Sequence, residues 1–147
     1  MDEKLILTSY ISEEDKQHSD QYSPLVLAYI GDAVFEIFVR EMLVRRANTQ
    51  VNKLHKMASS IVKAESQAKM IEAIKRELNE KEMSIYRRGR NAKSHTVAKH
   101  AKVSDYRKAT GFEALMGYLY LNDEQQRMTE LMEKAVRSEL ENEGKID

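Results

Sequence analysis

LVLAYIGDAVFEIFV, running from Leu25 to Val39, is the stretch that decides the fold. Apolar residues surround almost the whole circumference of a 3.6-residue turn, which suits a helix with neighbours on most sides. Ser23 and Pro24 stand just before it, one offering a capping oxygen and the other a ring that fits the first helical position. The pattern predicts a helix from there to about Arg46, central in the molecule, with part of its apolar surface left for a second subunit. ATGFEALMGYLYL, Ala109 to Leu121, reads the same way, within a helix that Ser104 and Asp105 open.

Both segments keep carboxylates among apolar and small residues: Asp32 and Glu36 in the first, Glu113 in the second. A carboxylate left in apolar surroundings is costly unless something pairs with it. A divalent cation would answer that cost, since hard cations take oxygen ligands from carboxylates. So would a narrow exposed stripe or an ion pair with an arginine. Asp32, Glu36 and Arg40 recur every four residues and line one helical face. Glu36 to Arg40 is the favourable order for an ion pair, whereas Asp32 to Glu36 is a like-charge pair unless a cation lies between them. The candidate metal ligands are therefore Asp32, Glu113 and, one turn beyond Asp32, Glu36.

The rest of the chain agrees with an all-α fold. Its 147 residues hold one Pro and five Gly, too few breakers for a sheet protein rich in turns. Residues 1–22 read as a tail or a short N-terminal helix and 23–147 as one domain. Helical periodicity runs from Val51 to Ile74 with a junction expected at Ser59-Ser60, then through a shorter helix ending near Gly89. Asn122-Asp123 is expected to cap a last amphipathic helix whose inner face holds Met128, Leu131, Met132, Ala135, Val136 and Leu140. No Cys is present, so disulfides and thiolate metal sites are excluded. Neither a membrane-spanning run nor a cleavable signal pattern is visible, and the expected location is the cytoplasm.

Charge sums to zero but is unevenly spread. Acids crowd both ends, and none lies between Met83 and Ser104. That window carries Arg87, Arg88, Arg90, Lys93, Lys99 and Lys102, with Asn91 and Ser94 as further donors and His95 and His100 nearby. Its weak periodicity from Arg90 to about Val103 reads as a loop. Cations interleaved with hydroxyls and amides suit a phosphate backbone; a solvated loop balancing the acidic ends is the plainer alternative. Trp is absent and no aromatic string is present, so contact with backbone and groove is expected, not stacking on single-stranded bases.

LAYIGDAVFE (27–36) followed by YRKATGFEALMGYLYL (106–121) resembles the catalytic core of the ribonuclease III family, and most closely its bacterial mini form, which has the helical catalytic domain alone. LHKMASSIVKAESQA (54–68) and RRGRNAKS (87–94) look like that form's middle helices and basic loop. The resemblance implies a ribonuclease III-type helical endonuclease domain in which Asp32 and Glu113 are the catalytic pair. It implies Mg²⁺, with Mn²⁺ as a substitute, and double-stranded RNA cut to 5′-phosphate products with 3′ overhangs. It further implies a homodimer with two active sites facing opposite strands, and precursor large-subunit ribosomal RNA as substrate. The separate RNA-binding domain of longer relatives is expected to be missing. Where those relatives carry further acids, this chain has Leu25, Ala28 and Thr110, which thins the expected metal shell. That thinning favours the main rival reading, a non-catalytic RNA-binding or ribosome-assembly protein. A helical protein–protein adaptor is the third.

Overall fold

The computed structural model describes residues 21–93 and 102–142. Ser23 opens the first helix as expected: its hydroxyl accepts from the Val26 N–H at 3.4 Å, and α1 spans Pro24–Arg46. The following helices are α2 (Val51–Val62), α3 (Ala64–Ile74), α4 (Glu80–Asn91), α5 (Val103–Leu121) and α6 (Gln125–Asn142), with a 3₁₀ turn at Lys75–Glu77. No strand occurs among the described residues, and no described helix is long and apolar enough to cross a membrane. Of the expected tail over 1–22, only Gln21 and Tyr22 are described, and Tyr22 packs against the core.

Three local expectations change. The break between α2 and α3 falls at Lys63, whose backbone is extended (φ −64°, ψ 154°), not at Ser59-Ser60. Both serines stay helical, and the carbonyls near the break are taken up by side chains: Ser66 Oγ donates to the Ser60 carbonyl at 2.9 Å and Gln67 Nε2 to that of Val62 at 2.7 Å. Helix α4 runs on through Asn91, so Arg90 and Asn91, expected in a loop, are helical like Arg87 and Arg88 before them. Its start is fixed by a capping box in which Asn79 Oδ1 accepts from the Glu82 N–H and Glu82 Oε1 from the Asn79 N–H. At the other junction Asn122 caps α5, Asp123 takes a left-handed φ of 58°, and the Glu124 carbonyl begins α6. A short Asp tolerates that conformation.

The central helix is α5, not α1. Every residue from Ala109 to Leu119 is buried except Glu113, because α1, α3 and α4 all pack on α5. Phe35 of α1 meets Phe112 of α5 edge to face, with ring centres 5.1 Å apart. Helix α1 buries Leu27, Ala28, Gly31, Val34, Phe35, Val39 and Leu43 along one side and leaves Leu25, Val26, Tyr29, Ile37 and Val44 in solvent. Its all-round apolar character therefore reflects two different faces. The six inner residues expected of α6 are all buried.

Candidate active site

Two glycines decide where α1 and α5 cross. A Cβ built on Gly31 would lie 1.8 Å from the Glu113 carbonyl oxygen, and one built on Gly117 would lie 1.9 Å from the Leu27 carbonyl oxygen. Only hydrogen fits at either place, so the two backbones touch. Asp32 follows Gly31, and Glu113 supplies the carbonyl that Gly31 meets. The closest approach of the helices thus carries one acid on each. Their carboxyl groups stand close enough for Asp32 to act directly on Glu113.

Asp32 is exposed and Glu113 half-buried, so the pair opens to solvent. Burial is the main reason the Glu113 carboxyl titrates far above the usual range, at about 8; the charge of Asp32 adds to the effect. A hydrogen bond from Gln67 acts in the opposite direction. At neutral pH the pair alone holds a proton where two anions would otherwise face each other. A divalent cation is the chemical alternative to that proton, and the donor set, two carboxylates at an open surface, fits a hard cation with oxygen ligands.

Glu36 does not join them: its Oε2 accepts from Arg40 Nε at 2.9 Å, the ion pair that the spacing allowed. Among the described residues no group of three or more Asp, Glu, His or Cys converges. Ala28 is buried one turn before Asp32, and Thr110 turns its hydroxyl to the Tyr106 carbonyl of its own helix at 3.0 Å.

Sequence reasoning missed Gln67. It is 2% exposed, and its Nε2 reaches Glu113 Oε2 at 3.5 Å. The signal lay in the spacing of Gln67, Ile71 and Ile74, which puts the amide on the inner face of α3, where all three are buried.

The basic residues sit on and beyond α4. Arg87, Arg88, Asn91, Lys93 and Lys102 are exposed, while Ser94 and Lys99 lie outside the described residues. Arg90 is half-buried, with its guanidinium 5.6 Å from the centre of the buried Tyr86 ring and its Nε donating to Asn91 Oδ1. Ser84, Arg87, Arg88 and Asn91 line an open cleft beside Pro24, the first residue of α1. Gly89 and Gly111 let α4 press on α5, which fixes the cleft relative to the carboxylate pair.

Comparison with known proteins agrees with this architecture. The model of the ribonuclease III domain matches residues 25–124, a span that contains both acids and the α4 side of the cleft. The chain belongs to the ribonuclease III family. Within that family it is similar to the Mini-ribonuclease 3 of Clostridium tetani, at 48% identity over 92% of this chain and 95% of the relative. It is likewise similar to that of Enterococcus faecalis, at 48% identity over 80% of this chain and 90% of the relative. A crystal structure of a protein from Fusobacterium nucleatum superposes with a TM-score of 0.74 at 28% identity, covering 82% of this chain and 96% of that one.

Proposed function

We propose that this chain is a metal-dependent endoribonuclease that cuts double-stranded stems of structured RNA, with residues 23–147 as its catalytic domain. The observation that carries the reading is the meeting of Asp32 and Glu113 at the glycine crossing, with Asp32 exposed to solvent. Asp32 and Glu113 would hold Mg²⁺ or Mn²⁺. When bound, the ion supplies positive charge beside the scissile phosphate and lowers the pKa of a water poised to attack. Glu36, one turn from Asp32, steadies that face of α1 through Arg40 and is the candidate for an outer contact to the site.

The exposed polar side chains on and after α4 grip the phosphate backbone, the cations Arg87 and Arg88 and the amide of Asn91 from the cleft and Lys93 and Lys102 from the segments that flank 94–101. Ser94 and Lys99 extend the same role by sequence. A homodimer is supported by the exposed apolar face of α1, where Tyr29 is 83% exposed and Val26, Ile37 and Val44 flank it. Large aromatic and aliphatic side chains gathered on one helix face are the surface a second copy covers. Two sites per dimer would stagger the cuts, and loss of the 3′ oxygen as leaving group would put the phosphate on the 5′ end. Precursor large-subunit ribosomal RNA in the cytoplasm is the substrate and place that the likeness to Mini-ribonuclease 3 supports.

The test is cleavage of an end-labelled RNA duplex with Mg²⁺, with EDTA, and with the Asp32→Asn and Glu113→Gln proteins. Expected is cutting that both EDTA and either substitution reduce by at least about a thousandfold. Duplex binding without cutting, in Mn²⁺ as in Mg²⁺, would make the chain a non-catalytic RNA-binding member of its family.

A further inference from the structure

Gln67 stands 46 residues from Glu113 in sequence and belongs to neither crossing helix, yet it is the described side chain outside them that reaches the Glu113 carboxylate. Its place is set by the break at Lys63. Helix α2 ends at Val62, whose carbonyl is one of those a helix terminus leaves without a ladder partner. Gln67 Nε2 donates to that carbonyl at 2.7 Å, and the same nitrogen lies 3.5 Å from Glu113 Oε2. A primary amide nitrogen carries two N–H groups, so both bonds are made at once. Its own oxygen is buried without a hydrogen-bond partner among the described residues. A buried amide that leaves its oxygen unpaired, at a cost of roughly 1–3 kcal/mol, is held in place by what its nitrogen does.

The residue type matters. Leu or Met would leave the Val62 carbonyl bare and give Glu113 nothing. Glu would set a third anion beside the pair. Lys would supply a full cation and compete with a metal for the carboxylate. Gln alone among these is a neutral donor that fixes the direction of the carboxylate and leaves its charge available.

We propose that Gln67 is a positioning residue: its amide, tied to the end of α2, holds the Glu113 carboxylate facing Asp32 in the orientation a divalent cation needs. This rests on the nuclease reading above and names a third residue that the site depends on. Groups that orient a ligating side chain typically change metal affinity or activity by about 10- to 100-fold when removed.

The experiment compares wild type, Gln67→Met and Glu113→Gln. Mn²⁺ binding to the RNA-free protein is followed by electron paramagnetic resonance, and kcat and KM are measured on an RNA duplex in Mg²⁺. Expected for Gln67→Met is Mn²⁺ binding weakened about tenfold and kcat lowered about tenfold or more, with KM within twofold of wild type. A lower melting temperature with Mn²⁺ binding and kcat within twofold of wild type would overturn the proposal and leave Gln67 as a cap on α2. Should Gln67→Met fail to fold, the side-chain amide resonances of Gln67 in ¹⁵N-labelled wild type and Glu113→Gln decide: a marked shift between the two supports the contact, and coincident resonances overturn it. Wild type that binds Mn²⁺ but cuts no duplex would sink the nuclease reading alone, since Mn²⁺ binding by Gln67→Met still decides the positioning role.

Discussion

Glu113 shows how one side chain couples stability to function. Its carboxyl titrates near 4.5 when unfolded and at about 8 in the folded, metal-free protein, chiefly through burial. A carboxyl whose folded value is raised gives up stability as it ionises: the penalty is absent below pH 4.5, grows between 4.5 and 8, and is complete above that. Glu113→Gln should therefore stabilise the metal-free protein at pH 9, by on the order of 2 kcal/mol, and change little at pH 4. Urea denaturation in EDTA at the two pH values checks this, and equal stability at pH 9 would remove the buried-charge account. Both acids stood out in the sequence because their segments hold so little other charge. That Asp32 faces solvent did not, because its apolar neighbours Tyr29 and Ile37 are themselves exposed. Gln67 was illegible for another reason: its significance comes only from a fold that brings α3 against α5.

Among the elements, the crossing of α1 and α5 and the anchoring of α4 to α6 carry the clearest consequences. Gly31→Ala places a methyl carbon 1.8 Å from a backbone oxygen, which no rotamer change relieves. We expect a loss above about 3 kcal/mol, with Ala33→Ser on the exposed side of the same helix near neutral; thermal denaturation separates the two. Elsewhere Arg127 holds Glu82 with two 2.9 Å bonds and reaches the Glu77 carbonyl. Burial alone would raise the Glu82 carboxyl, but the guanidinium and the Asn79 N–H outweigh it and hold the group below its ordinary value. Stability from this pair is present above the ordinary value near 4.5 and is lost as pH falls through the lowered one. Arg127→Leu strands an acid that is 2% exposed, and about 3 kcal/mol should be lost at pH 7, with a smaller difference at pH 3. Helix existence and the inner face of α6 were legible from periodicity, which reports burial directly. The break at Lys63 was not, because a single extended residue between two good helices leaves no mark in composition.

For the whole molecule, zero net charge makes the basic cleft a local device. Replacing Arg87 and Arg88 by Ser should weaken duplex binding and lower the slope of log affinity against log salt by roughly 2, one for each phosphate that is no longer neutralised. An unchanged slope would take the cleft out of RNA binding. Tyr29→Asp with Ile37→Asp, set on the bare face of α1, should yield a monomer by sedimentation that unfolds as wild type does and cuts poorly. Wild type that sediments as a monomer at micromolar concentration would count heavily against a paired-site enzyme. The sequence marked α1 as a helix with apolar surface to spare but assigned the centre to the wrong helix. Hydropathy along a chain does not distinguish a face turned to the core from one turned to a partner.

The contact of Gly31 with the Glu113 backbone also settles how the site behaves when helices move. Helices whose backbones come closest over one short stretch, here Leu27–Gly31 against Glu113–Gly117, tilt about that stretch as about a fulcrum. Helix α1 is about 35 Å long, and the lever arm from Gly31 to Arg46 is roughly 23 Å. A tilt of about 5° would swing the Arg46 end by ~2 Å but displace a side chain beside the fulcrum by only a few tenths of an ångström. Whatever presses on the far end of α1, in the groove it forms with α6, leaves the spacing of Asp32 and Glu113 almost untouched. The spacing of the two acids is carried at the still point of any such tilt.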